Sequence, residues 1–323
     1  MSLAQKITVV EVGPRDGFQM ETEFIPTERK IEIVNRLVSA GLRHVEVTSF
    51  VSPKAIPQLR DAAQVLEGVD RVEGLYLNAL VPNVRGAEAA ARTCVDALTV
   101  FVSASEGHNR ANVNQTIAES LRGVPAMAEI AARAGKKLLG GVPTSFGCPF
   151  EGDVAPEQVA RIVERMADLG VSGVTLGDTT GMATPPVVRR TCGYLRDRFP
   201  GVAFSLHFHN TRGIGLVNVY EALQLGFDTF ESAVGGLGGC PFAPGASGNV
   251  ATEDLVYLLG ELGLSSGVDL GGLIAAAQRT EEIIGRTLPG QVMKAGPRLK
   301  LHAPPSGPQQ RLASPKTRPP ANP

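Results

Sequence analysis

Eight short β-rich runs alternate with longer segments of helical period along this chain, and that alternation constrains its fold more than any other feature. The runs are Ile7 to Val12, His44 to Thr48, Leu75 to Val81, Ala97 to Val102, Lys137 to Val142, Gly173 to Leu176, Ala203 to His209 and Thr229 to Ala233. Amphipathic stretches between them include Thr27 to Ala40, Val84 to Thr93, Ile117 to Ala134, Pro156 to Leu169 and Pro185 to Arg198. Pro156 and Pro185 stand where a first helical turn tolerates a missing N–H, whereas Thr27 with Lys30 is only part of a capping signal. Strict alternation over about 280 residues predicts a single (β/α)8 TIM barrel, with a doubly wound open sheet as the competitor.

A barrel of this kind concentrates its chemistry at the C-terminal ends of its strands. The unusual polar residues fall there. Glu11-Val12-Gly13-Pro14-Arg15-Asp16-Gly17 follows the first run, Glu46-Val47-Thr48-Ser49-Phe50 closes the second, and Gly147-Cys148-Pro149 follows the fifth. Gly177-Asp178-Thr179-Thr180-Gly181 follows the sixth, His207-Phe208-His209-Asn210 ends the seventh, and Gly235 to Pro241 follows the eighth. An open sheet would not bring residues together from so many strands.

Residues two apart in a strand face the same way, so His207 and His209 present two imidazoles side by side while Phe208 points away. Only five histidines occur in the chain. A buried histidine is also often satisfied by a backbone carbonyl, and the pair alone does not choose between that and metal ligation. Asp16 adds a carboxylate at the same mouth if the barrel closes, giving a two-histidine, one-carboxylate set with room for substrate oxygens. Asn249 is a candidate fourth ligand, although after a glycine it also fits an ordinary turn. Mg²⁺, Mn²⁺, Co²⁺ and Zn²⁺ all suit these ligands, and availability favours Mg²⁺ or Mn²⁺.

Arg15 keeps its charge and suits stabilisation of an oxyanion such as an enolate; a structural role would pair it with Glu46, and both can hold. Cys240 lies in a glycine-rich loop able to close over a substrate, where a thiol can donate or accept a proton. Its plainer reading, a small apolar filler, is the one assigned to Cys94 and Cys192. The loop is not a dinucleotide fingerprint, because the G-x-G-x-x-G spacing is missing and Pro241 stands where a helix would start.

A hydrophobic fraction of 43% and a net charge of -1 describe an ordinary globular protein with no nucleic-acid face. No apolar run approaches the roughly 20 residues of a membrane span. Four separated cysteines without C-x-x-C pairing, and an N-terminus without a signal-peptide pattern, predict a cytoplasmic protein with reduced thiols.

At these residues the chain resembles the 3-hydroxy-3-methylglutaryl-CoA lyase family, within the metal-dependent barrel lyases and Claisen synthases. Glu11 to Gly17, Thr48 to Lys54, Gly177-Asp178-Thr179, His207-x-His209 and Gly235 to Asp254 carry the likeness, which extends to about residue 290. The cysteine loop with Pro241 and Gly245 to Asn249 sets the chain apart from isopropylmalate and homocitrate synthases. The resemblance implies that Asp16, His207, His209 and Asn249 bind a divalent cation, and that Arg15 is the essential arginine. It further implies proton transfer by Cys240 and active-site roles for the acids Glu46 and Asp178. The implied substrate is an acyl-CoA thioester, 3-hydroxy-3-methylglutaryl-CoA, cleaved to acetyl-CoA and acetoacetate, with Cys240 or His207 protonating the enolate carbon.

Two departures concern the acyl group. Where the family has His-x-His-Asp-Thr-Tyr-Gly, this chain has His207-Phe208-His209-Asn210-Thr211-Arg212-Gly213, with an extra cation near the metal ligands. Where the family has Gly-Tyr ahead of Gly-Cys-Pro, the chain has Gly140-Gly141, which leaves space. Citramalyl-CoA or a bulkier branched thioester is therefore the alternative substrate. A Claisen synthase fits the Cys240 loop poorly, and a non-catalytic CoA-binding protein would show a broken catalytic set. Arg286, Lys294, Arg298 and Lys300 are candidates for the CoA phosphates, although surface charges need no such role. Thr252 to Leu262 and Leu273 to Gly285 are expected to cover the bottom and flank of the barrel. The expected division is a catalytic barrel over 1-290, an extension over 291-302 and a disordered Pro-rich tail over 303-323, with a homo-oligomer left open.

Overall fold

The computed structural model describes residues 6–239 and 248–301. Its strands are β1 (Thr8–Glu11), β2 (His44–Ser49), β3 (Tyr76–Leu80), β4 (Ala97–Phe101), β5 (Lys137–Val142), β6 (Gly173–Asp178), β7 (Ala203–Phe208) and β8 (Thr229–Ser232). They close a barrel in sequential order, each parallel to its neighbours, and each expected run lies within two residues of its strand at either end.

The helices are α1 (Thr27–Ser39), α2 (Ala62–Glu67), α3 (Val84–Ala91), α4 (Glu106–Val113), α5 (Ile117–Arg133), α6 (Pro156–Asp168), α7 (Pro185–Arg198), α8 (Gly215–Gln224), α9 (Thr252–Glu261), α10 (Leu270–Ile284) and α11 (Val292–Ala295). Pro156 and Pro185 open α6 and α7 as expected. Thr27 does not cap α1; its hydroxyl donates to Asp61 Oδ2 at 2.8 Å. Four helices were not legible, and the last of them, α11, has only four residues. α2 has six residues, too few to show a period. α4 buries only His108 and Asn109, and α8 buries Gly215, Asn218, Val219, Ala222 and Leu223 while leaving Val217 and Tyr220 exposed, so neither shows a clean apolar stripe in the sequence.

Two kinds of interior result. Between strands and helices lies an apolar layer, to which α6 contributes Val159, Ile162, Val163 and Met166. Inside the barrel a group of polar residues is hydrogen-bonded together. Asn78 Nδ2 donates to Glu46 Oε1 at 3.0 Å and to Thr99 Oγ1 at 2.9 Å, and Thr175 Oγ1 donates to Glu231 Oε1 at 2.7 Å. The β2–β3 register slips at Val47, a bulge beside Glu46 of the kind that re-aims side chains near functional sites.

The C-terminal helices correct one expectation. Asp269 N–H donates to Ala40 O at 2.7 Å beside the end of α1, while Gly290 N–H donates to Gly235 O at 2.9 Å just beyond β8. Between these points α10 climbs the flank from the bottom to the mouth instead of closing the bottom. Cys192 is buried, but Cys94 is exposed and is no core filler. Cys240 with residues 241–247, and the predicted tail, lie outside the described residues. Among the described residues no helix is long and apolar enough to cross a membrane.

Candidate active site

Asp16 reaches the mouth on a five-residue π-helical turn, Gly13–Gly17, in which Phe18 N–H bonds back to Gly13 O. Such wide turns are rare and occur mostly at functional sites. His207 on β7 and His209 just past it approach from two strands away, with ring centroids 5.1 Å apart. One ligand atom from each of Asp16, His207 and His209 lies within 4.8 Å of the others. Asn249 completes the group: its Nδ2 donates to Asp16 Oδ2 and to Leu237 O, both at 2.8 Å. Asn249 Oδ1 and His209 Nδ1 are then buried without a hydrogen-bond partner. A bare amide oxygen and imidazole nitrogen beside a carboxylate form a donor set that fits the divalent ion implied by the sequence. Gly238 makes this packing possible. At its φ of +111°, a Cβ would lie 2.5 Å from Asn249 Nδ2 and 3.3 Å from Asp16 Oδ2.

Arg15 lies between two carboxylates, donating from Nη1 to Asp16 Oδ1 at 2.5 Å and from Nε to Glu46 Oε2. Gln19 Nε2 adds a bond to Asp16 Oδ1 at 2.9 Å. Burial pushes every charge here toward its neutral form, and partners reverse that selectively. Burial works to raise the Asp16 pKa, but Arg15 and then the two histidines bring it down to about 2. Burial, reinforced by His207, lowers His209 to about 3, so it is a neutral imidazole ready to ligate. Burial also pulls His207 down, yet Glu231 and Asp16 hold it above the usual histidine value. Glu46 is raised by its burial against the pull of Arg15. Burial lifts Asp178 to about 7, although Ala183 N–H donates to its Oδ1 at 2.9 Å.

The HMGL-like family model matches residues 6–279 of this sequence. The chain belongs to the HMGL-like family. It is 46% identical over 291 residues to hydroxymethylglutaryl-CoA lyase YngG of Bacillus subtilis, an overlap covering 90% of this chain and 97% of that protein. It is 42% identical over 303 residues to (R)-citramalyl-CoA lyase of Chloroflexus aurantiacus, covering 91% of this chain and 96% of that one. The solved structure of an HMG-CoA lyase from Acinetobacter baumannii, in complex with coenzyme A and 3-methylmalate, matches with a TM-score of 0.89 and 42% identity. That match covers 94% of this chain and 100% of the other.

In this HMGL-like barrel, Arg15, Asp16, Glu46, His207, His209 and Asn249 come together from the expected strand ends. Asp178 stands in register with Phe208, the residue between the two histidines, and its Oδ2 is buried without a partner. Arg212 is exposed at the rim and donates to Thr180 O at 3.1 Å and Gly181 O at 2.6 Å, tying the loops after β6 and β7 together. Of the four CoA candidates, Arg286 pairs with Glu21 at 2.5 Å and Arg298 with Glu261 at 2.6 Å. Lys294 Nζ donates to Leu288 O at 2.5 Å, and Lys300 is exposed. Sequence reasoning missed Gln19, Asn78, Thr175 and Glu231. The available signal, for Asn78, was a polar residue set into an otherwise apolar strand, Tyr76-Leu77-Asn78-Ala79-Leu80.

Proposed function

We propose that this chain is a divalent-metal-dependent acyl-CoA lyase that cleaves 3-hydroxy-3-methylglutaryl-CoA to acetyl-CoA and acetoacetate. The observation that carries the reading is the meeting of Asp16, His207, His209 and Asn249 beside the Arg15–Glu46 pair. The names of the Bacillus relative and of the Acinetobacter enzyme, with coenzyme A bound in the latter, support a thioester substrate. Mg²⁺ or Mn²⁺ suits a set with two oxygen ligands and two imidazoles. When bound, such a cation acts as a Lewis acid that lowers the pKa of the substrate's tertiary hydroxyl.

The chain's own groups account for the remaining chemistry. Loss of the hydroxyl proton to a base turns C–O into C=O as the adjacent carbon–carbon bond breaks, and its electron pair becomes the thioester enolate. Arg15, already fixed by Glu46 and Asp16, offers a permanent charge to that enolate oxygen without reorganising. His207 has one nitrogen on Glu231 and would hold the cation with the other, which leaves Cys240 to reprotonate the enolate carbon. Asp178, at about 7 and with one free oxygen, has the pKa of a base working near neutrality. Free thiols at Cys94, Cys148 and Cys192 support a reducing, cytoplasmic setting.

The test is acetyl-CoA release from 3-hydroxy-3-methylglutaryl-CoA with Mg²⁺ or Mn²⁺, against an EDTA-treated control and a Cys240→Ser variant. Turnover that needs metal and falls in the variant is expected. Absence of turnover by metal-loaded protein would sink the reading, and (R)-citramalyl-CoA, suggested by the Chloroflexus relative, is the next substrate to assay.

A further inference from the structure

Two consecutive glycines on β5 have opposite surroundings. A Cβ on Gly140 would lie 2.7 Å from Met166 Sδ and 3.0 Å from Val171 Cγ1, on the side facing α6, so packing demands glycine there. Strand residues alternate, and Gly141 therefore faces the lumen. A Cβ on Gly141 would meet only Phe101 Cβ at 3.5 Å and Val100 O at 3.8 Å, both ordinary contacts. Gly141 is also absent from the positive-φ glycines. Neither backbone nor packing requires glycine at 141, so its missing side chain shapes the lumen.

The bare position adjoins the chemistry. Gly141 pairs with Thr175, whose hydroxyl bonds Glu231, and Glu231 holds His207. Further along β6, Gly177 pairs with His207, and a Cβ there would meet nothing closer than 3.4 Å. The lumen wall from Phe101 to His207 is thus made of Gly141, Thr175 and Gly177. Phe101, half-buried, also lines a cavity of about 400 Å³ that mixes apolar Val81, Val124 and Met127 with polar Arg85 and Gln115.

We propose that Gly141 and Phe101 form a subsite for an apolar substituent larger than methyl on the hydroxyl-bearing carbon of the substrate. The proposal rests on the lyase reading above, which places that carbon beside His207. A substituent directed from there toward β5 and β6 runs along Gly177, Thr175 and Gly141, where little side chain projects, toward Phe101. Each methylene buried against such a wall gains about fourfold in affinity.

The experiment compares kcat/KM of the Mg²⁺-loaded full-length protein on 3-hydroxy-3-methylglutaryl-CoA and on its analogue with n-pentyl in place of the methyl. The wild type is expected to use the pentyl thioester at least as well as the methyl one. Gly141→Leu should lower the pentyl-to-methyl ratio by about tenfold or more, Gly141→Ala by less, and Phe101→Ala, which removes the apolar wall, should lower it as well. Gly141→Ala keeps the test available if the leucine variant does not fold. Wild-type turnover of the methyl thioester alone, or an unchanged ratio in both Gly141 variants, would overturn the subsite and leave the lyase reading standing. No turnover of either thioester by metal-loaded protein would overturn that reading and the subsite with it.

Discussion

His207 Nδ1 lies 2.8 Å from Glu231 Oε2 inside the barrel, on residues that stand in register across β7 and β8. Thr175 holds the other carboxylate oxygen at 2.7 Å, so Glu231 cannot rotate away. The carboxylate fixes the proton on Nδ1 and turns Nε2 toward the Asp16 side of the site.

Replacing Glu231 by alanine should therefore weaken Mn²⁺ binding about 10- to 100-fold, as removal of a carboxylate behind a ligating histidine generally does. Calorimetric titration of the metal measures this directly. An unchanged affinity would take Glu231 out of the site.

Arg15→Lys keeps a charge but cannot span Asp16 and Glu46 with a planar fork. The expected outcome is a drop in kcat of about 100- to 1,000-fold, roughly 3–4 kcal/mol, with metal affinity largely retained. Single-turnover kinetics at saturating metal separates the two effects. A loss confined to metal binding would mean that Arg15 serves only to orient Asp16.

Gly140→Val should lower stability by about 1–3 kcal/mol, because the new side chain meets Met166 and Val171 in a packed layer. Gly141→Val, facing the lumen, should lower it less. Urea denaturation of both variants decides whether the two faces of β5 differ as described.

Glu11 is fully buried, and burial lifts its pKa from 4.5 to about 7 despite bonds from the Thr252 hydroxyl and from the Val234 and Gly13 amides. The folded chain then keeps a proton that the unfolded chain has lost between those values. This contribution to stability is complete below about 4.5 and is lost as pH rises through about 7. Glu11→Gln should remove a decline on the order of 3 kcal/mol at most between pH 5 and 8. Chemical denaturation of the EDTA-treated proteins across that range measures it, and parallel stability curves for wild type and variant would contradict the assignment.

The local pattern along the chain was enough for the strands and for several helix starts. Period-2 runs, first-turn prolines and His207-x-His209 depend on residues a few positions apart, and such signals survive in a linear reading. α2, α4, α8 and α11 lacked them, being short, polar, or, in α8, marked by a buried asparagine and exposed apolar residues.

By itself the sequence determined the order of the eight strands, the strand ends that carry polar residues, and the family resemblance that named Arg15, Asp16, Glu46, His207, His209 and Asn249. Tertiary structure alone decided which buried acids meet them. Asn249 bonds Asp16 across 233 residues, Glu11 receives the Val234 amide across 223, and Glu231 meets His207 only because β7 and β8 pair. Closure of the barrel creates those contacts. A carboxylate such as Glu11 or Glu231 can be held inside it only because donors from distant segments compensate the loss of water.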